Sequence, residues 1–271
     1  MKTMHGITFQ NPIPTDTVVF PDLPDRSEVH VWKIDTGKNN RISPGSLSDI
    51  LSDDECAQMR RYRNPLDAAR YATRHYWLRR ILGGYCQRKP ESVLIERNFE
   101  GQPKFSGFSV REPSGENSPL HKKSDNIEIS ISHSSDLALI SVTAGFPTGI
   151  DLEYVDSSLD PTKLSDFCLS AREQELFSKL EYADRLSWFL KVWTAKEAAL
   201  KYLGIGLTGD LRTYECRHGN ELTLEVWAGH NDNYAEICRI VPIPAGKFFV
   251  TALAVPPQSF RSYRIFSVNC F

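Results

Sequence analysis

At 271 residues, with 41% hydrophobic and 11% aromatic residues, the chain can bury a sizeable core as one large domain or two small ones. Charged residues make up 24% and the formal net charge is −2, which excludes global disorder and a protein that coats nucleic acid by bulk electrostatics. The six cysteines lie at least 22 residues apart, so no CxxC pair points to zinc or a redox dithiol, and no apolar run is long enough to cross a membrane.

Residues 1–27 carry Pro12, Pro14, Pro21 and Pro24 without a sustained period, which predicts an extended lead-in. They also lack a basic segment followed by an apolar one, so no secretory signal is read there and a cytoplasmic protein with reduced thiols is expected. Glu28–Ile34 alternates polar and apolar residues, as a half-buried strand does. Ser52 followed by Glu55 predicts a helix start with a capping box. A second helix is predicted over Leu66–Leu82, stopping at Gly83-Gly84, with Tyr71, His75, Leu78 and Leu82 toward the core. Seven arginines and a single acid, Asp67, lie between Arg60 and Arg80. Most of these describe a solvated helical face, whereas Arg70 and Arg74, one turn apart, have the spacing of an anion clamp.

The stretch 109–126 is polar and rich in Ser, Pro and Gly, and is expected as a mobile surface loop. Ile127–Ser132 and Leu137–Val142 predict a hairpin-like pair, and Pro147-Thr148-Gly149 turns into a strand over Ile150–Val155. That turn sets a domain boundary near residue 147, separating 28–147 from 148–271. Asp184–Leu203 has the strongest helical pattern and is closed by Gly204. Short strands are expected at Leu222–Trp227, Tyr234–Val241 and Phe248–Val255.

Three constellations carry chemistry. In Gly149-Ile150-Asp151-Leu152-Glu153 a strand projects both carboxylates to one face, where like charges repel unless a cation or proton sits between them. Magnesium suits such a pair, taking one or two protein carboxylates and filling its octahedron with water and substrate phosphate. Taken alone, a DxE more often marks a solvated acidic edge. On the strong helix, Trp193, Glu197 and Lys201 are spaced by four and share a face. Glu197 and Lys201 fit an ordinary surface pair as well as a third carboxylate with a phosphate-neutralising lysine. Ser132-His133-Ser134 ends a strand; a lone histidine there is more often structural than a ligand or base. The sequence has no GxxxxGK[ST], no GxGxxG between a strand and a helix, and no GxSxG elbow, which disfavours P-loop, Rossmann and serine-hydrolase chemistry.

In order, Gly101-Gln102-Pro103, Ser132-His133-Ser134, Gly149–Glu153 and Trp193-Thr194-Ala195-Lys196-Glu197-Ala198-Ala199-Leu200-Lys201, continued by Gly204-Ile205-Gly206-Leu207, resemble the 4′-phosphopantetheinyl transferases, in particular the larger surfactin-type class. The resemblance spans residues 28–255. It implies an α+β fold of two similar halves packed as a pseudo-dimer, with the active site between them and the metal site in 148–271. It further implies transfer of the 4′-phosphopantetheine arm of coenzyme A to a serine of an acyl, peptidyl or polyketide carrier protein, releasing adenosine 3′,5′-bisphosphate. By the same resemblance Asp151, Glu153 and Glu197 hold Mg²⁺, with Asp151 and Lys201 against the pyrophosphate of coenzyme A. Arg70 and His133 bind the 3′-phosphate end, and Gly101, Gln102, Pro103 and Ser132 line the adenine pocket. Glu197 and Lys201 are then the catalytic pair, with Glu197 as the base for the carrier serine. A monomer without nucleic-acid or membrane partners is expected. Two departures stand out: Asp53, Asp54 and Glu55 occupy a stretch where some relatives carry lysines, and Gln102 stands where Lys or Arg is frequent, with Lys104 close by.

Overall fold

A computed structural model describes residues 3–4, 7–9, 19–37, 42–97, 103–108, 126–206, 209–219, 223–230 and 233–268. Gly101, Gln102, Leu207 and nearly all of the 109–126 loop lie outside the described residues. The first stretch of chain runs through β1 (Thr3–Met4), β2 (Ile7–Phe9), β3 (Glu28–Asp35), α1 (Pro44–Ile50), α2 (Asp53–Arg60) and α3 (Pro65–Cys86). It continues as β4 (Val93–Arg97), β5 (Pro103–Phe108), β6 (Ile127–Ser134), β7 (Leu137–Ala144) and β8 (Gly149–Tyr154). The remainder forms α4 (Thr162–Cys168), α5 (Ala171–Ser178), α6 (Tyr182–Leu203), β9 (Tyr214–His218), β10 (Leu224–His230), β11 (Asn233–Val241), β12 (Phe249–Val255) and β13 (Ser262–Val268).

These elements make an α+β fold with one sheet ordered β1-β2-β13-β3-β7-β6, a second ordered β8-β12-β11-β10-β9, and a β4-β5 ribbon. Alternation along the strands decides which core each side chain enters. In β3, Trp32 and Ile34 pack under α3, whereas Val29 and Val31 face Ile150 and Leu152 of β8 and Leu253 and Val255 of β12. The first sheet is therefore covered by α3 on one face and by the second sheet on the other. On the far face of the second sheet, Ala195, Ala198 and Ala199 of α6 lie against Val226, Cys238 and Ala252, small residues that let helix and sheet approach closely. Among the described residues no helix is long and apolar enough to cross a membrane.

The predicted capping box is present: Ser52 accepts from the Glu55 amide and Glu55 accepts from the Ser52 amide. The β6–β7 hairpin turns at Ser135, in the left-handed region at φ 52°, and α6 ends at Gly204, φ 71°. The paired glycines do not stop α3, which continues to Cys86 and ends at Gln87 with φ 53°. They are there for close packing instead. A Cβ on Gly84 would fall 2.1 Å from the Phe20 ring, and one on Gly83 would fall 2.7 Å from the Arg88 carbonyl oxygen. β13, inside the stretch 148–271, lies in the first sheet between β2 and β3 and parallel to both, so the chain returns to the sheet in which it began. β1 and β2 likewise give part of the 1–27 lead-in a place in that sheet.

Candidate active site

Ile150 and Leu152 are buried between the two sheets, and the strand period turns Asp151 and Glu153 to the opposite face, toward α6. The contact between β8 and α6 depends on Gly149. A Cβ there would sit 1.9 Å from the carbonyl oxygen of Ala198 and 2.6 Å from the amide nitrogen of Tyr202, both helix backbone. Gly149→Ala is expected to destabilise the protein by about 2–3 kcal/mol through overpacking, read as a lower urea midpoint. A midpoint equal to wild type would show that α6 can retreat freely.

The helical repeat of four then brings three side chains to the strand carboxylates. Trp193 Nε1 donates to Glu153 Oε1 at 3.2 Å. Lys201 Nζ donates to Asp151 Oδ1 at 2.8 Å and to the Ile150 carbonyl at 3.1 Å. Glu197 lies between them in sequence, buried, and among the described residues neither its Oε1 nor Asp151 Oδ2 has a hydrogen-bond partner. Burial, then the charges of Asp151 and Glu153, push the Glu197 carboxyl up to about 7, against the pull of Lys201. Glu153 is raised as well, by burial first and then by Asp151. Desolvated carboxylates whose oxygens are left unpartnered are costly, and a proton or a cation relieves them.

From the first sheet, Ser132 Oγ donates to Asp151 Oδ1 at 2.7 Å and Ser134 Oγ to Glu153 Oε2 at 3.1 Å. Ser132, expected along a nucleotide pocket, thus also touches a strand carboxylate. His133, between them, has access to solvent, yet its imidazole is held down to about 4 by desolvation on its cavity side and then by the cations Arg74, Lys201 and Arg70. It is neutral at physiological pH. It borders a cavity of about 420 Å³ whose wall includes Tyr71, Arg74, Arg97, Pro103 and Lys201.

The two arginines expected as an anion clamp separate. Arg74 is buried in the cavity wall with its guanidinium 5.4 Å from the Tyr71 ring centroid. Arg70 is bound instead by carboxylates, donating to Asp136 Oδ1 from Nε at 2.9 Å and Nη2 at 2.6 Å, and to Asp67 Oδ1 at 2.9 Å. Of the three acids at the start of α2, Glu55 turns inward. It accepts from the Ser52 amide and from Arg79 Nε at 2.6 Å and lies 3.0 Å from His75 Nδ1, so its charge is compensated inside the fold.

Lys196, a motif letter without a role in the sequence reading, is fully buried and points away from the carboxylates. Its ammonium donates to the carbonyls of Cys168 at 2.7 Å and Leu211 at 3.0 Å and to the Glu173 carboxylate. The sequence reading also gave no task to Ser134 or Trp193, the two residues that grip Glu153. The period Ser130-Ile131-Ser132-His133-Ser134, opposite the apolar face Ile127, Ile129, Ile131, was the available signal. Among the described residues no three His, Cys, Asp or Glu side chains are gathered as a ready metal cage.

Comparison with known proteins matches residues 147–241 to the family model described as the 4′-phosphopantetheinyl transferase superfamily. The 4′-phosphopantetheinyl transferase HetI of Nostoc sp. (strain PCC 7120) is 32% identical over 180 residues, covering 66% of this chain and 70% of that one. The 4′-phosphopantetheinyl transferase psf-1 of Bacillus pumilus is 25% identical over 188 residues, covering 66% of this chain and 69% of that one.

Proposed function

This chain belongs to the 4′-phosphopantetheinyl transferase superfamily, and from that premise we propose which of its residues move the phosphopantetheine arm of coenzyme A onto a carrier-protein serine. The observation that carries the assignment is the pair of buried, unpartnered oxygens, Asp151 Oδ2 and Glu197 Oε1, beside the Lys201 ammonium. That donor set fits magnesium, a hard cation whose octahedron is completed by water and substrate phosphate, so the carboxylates need not form a closed cage before it binds. Asp151, Glu153 and Glu197 would hold it, and when bound it supplies positive charge to the diphosphate of coenzyme A.

The chain's own groups do the rest. Glu197 loses its proton when a cation enters among the carboxylates, and the ionised carboxylate is then free to accept the serine hydroxyl proton. Lys201 is held by Asp151 and the Ile150 carbonyl and is aimed at the charge that builds on the leaving bisphosphate. His133 and Arg74 border the cavity and stand for the 3′-phosphate end, with Arg70 behind them on the hairpin turn through Asp136. Pro103 and Ser132 line the same cavity, consistent with a nucleotide site. The boundary near residue 147 then separates a half bearing Ser132 and His133 from a half bearing the carboxylates, with β13 crossing back. A monomer is the proposed state, and the five described cysteines are unpaired, in keeping with a reducing compartment such as the cytoplasm.

Incubation with coenzyme A, Mg²⁺ and apo carrier proteins of the fatty-acid, polyketide and peptide types should yield a carrier heavier by one phosphopantetheine arm, read by intact mass. No mass shift with any of the carriers, from a folded enzyme, would refute the reading.

A further inference from the structure

β6 and β8 are edge strands of different sheets, yet three rungs join them. The amides of Ile150, Leu152 and Tyr154 donate to the hydroxyls of Ser130, Ser132 and Ser134 at 3.0, 3.4 and 3.0 Å. Each rung links residues twenty apart, so the strands run in fixed parallel register with serine side chains replacing main-chain carbonyls.

A hydroxyl carries one proton and two acceptor lone pairs. With one lone pair engaged by an amide, the direction left for the proton is constrained. Ser132 and Ser134 use it on Asp151 and Glu153. Ser130 makes the same rung and, among the described residues, meets no carboxylate. Glu153 is thereby gripped on both oxygens, by Ser134 on Oε2 and by Trp193 on Oε1. Without Ser134 it can pivot about the indole.

We propose that Ser134 is a positioning residue that acts through Glu153, fixing the carboxylate geometry of the divalent-cation site from across the seam between the sheets. This rests on the reading of Asp151 and Glu153 as metal ligands. Groups that orient ligating carboxylates typically change metal affinity by about 10–100-fold when removed.

The test is Mn²⁺ binding to the full chain without coenzyme A, followed by electron paramagnetic resonance of the free ion. Ser134→Ala should weaken binding about tenfold, and Ser134→Thr, which keeps the hydroxyl, should restore it. Ser130→Ala should lower the melting temperature and leave the affinity in place. The proposal is overturned if Ser134→Ala binds like wild type, if Ser134→Thr is as weak as alanine, or if Ser130→Ala weakens binding equally. A wild-type protein that binds no Mn²⁺ overturns the metal-site reading itself, and the positioning role with it.

Discussion

Replacing Lys196 by methionine should lower the free energy of unfolding by about 3–5 kcal/mol, the cost of stranding a buried carboxylate without its counter-charge. Lys196 is 0% exposed and Glu173 is 1% exposed. The ammonium spends its three donors on Glu173 and on the carbonyls of Cys168 and Leu211. The Glu173 carboxylate also accepts from the amides of Ser170 and Cys216 at 2.8 Å each. One ion pair therefore ties the end of α4, the start of α5, the turn at Leu211 and strand β9 to the middle of α6. Methionine fills similar volume, so the loss isolates charge and hydrogen bonding from packing. Urea unfolding should show a lower midpoint at unchanged slope. Lys179→Met, which breaks an exposed pair with Glu175, should leave the midpoint close to that of wild type. Equal midpoints for the two variants would show that the buried pair contributes nothing. Because Glu197 follows Lys196 on the same helix, activity in Lys196→Met should disappear at the temperature of unfolding and be close to normal below it.

The elements legible in the sequence were those whose pattern is local. β3, the β6–β7 hairpin, β8 and the long α6 each carry their own period, and Ser52 with Glu55 announces α2 through a bond three residues long. The glycine pair in α3 misled because a helix stop and a close contact need the same residue. For Gly84 the distinguishing contact is Phe20, more than sixty positions away, and for Gly83 it is the returning backbone at Arg88. β13 was missed for a similar reason: its partners are β2 and β3 at the other end of the chain, and Tyr263, Ile265 and Phe266 divide between two cores. The meeting of Asp151, Glu153, Glu197 and Lys201 was legible because strand and helix periods put them on shared faces. The pairing of Arg70 was not, since its partner Asp136 sits 66 residues away. Nor was the burial of Lys196, whose partners come from three segments.

Glu197→Gln should lower kcat by about 10²–10⁴, the range for loss of a general base, while stabilising the metal-free protein at neutral pH. In the folded state the Glu197 carboxyl stands at about 7, whereas its ordinary value is 4.5. Between those values the folded state holds a proton that the unfolded chain has released, so stability falls as pH rises through this window. Below it both states are protonated and the loss vanishes; above it the loss is complete, at most about 3.5 kcal/mol from a shift of this size at about 1.4 kcal/mol per unit. The charges of Asp151 and Glu153 share in this effect, so one neutral amide relieves part of their repulsion as well. Thermal melts of wild type from pH 5 to 8 without divalent ions should decline from pH 5 to about 7 and level off above it, and the glutamine variant should stay more nearly level. Adding Mg²⁺ should return the wild type toward its low-pH stability, because a cation among the carboxylates replaces the proton, and should change the variant less. A variant with full kcat would remove Glu197 as the base. A wild-type melting curve indifferent to both pH and Mg²⁺ would remove the carboxylate repulsion on which the metal assignment depends.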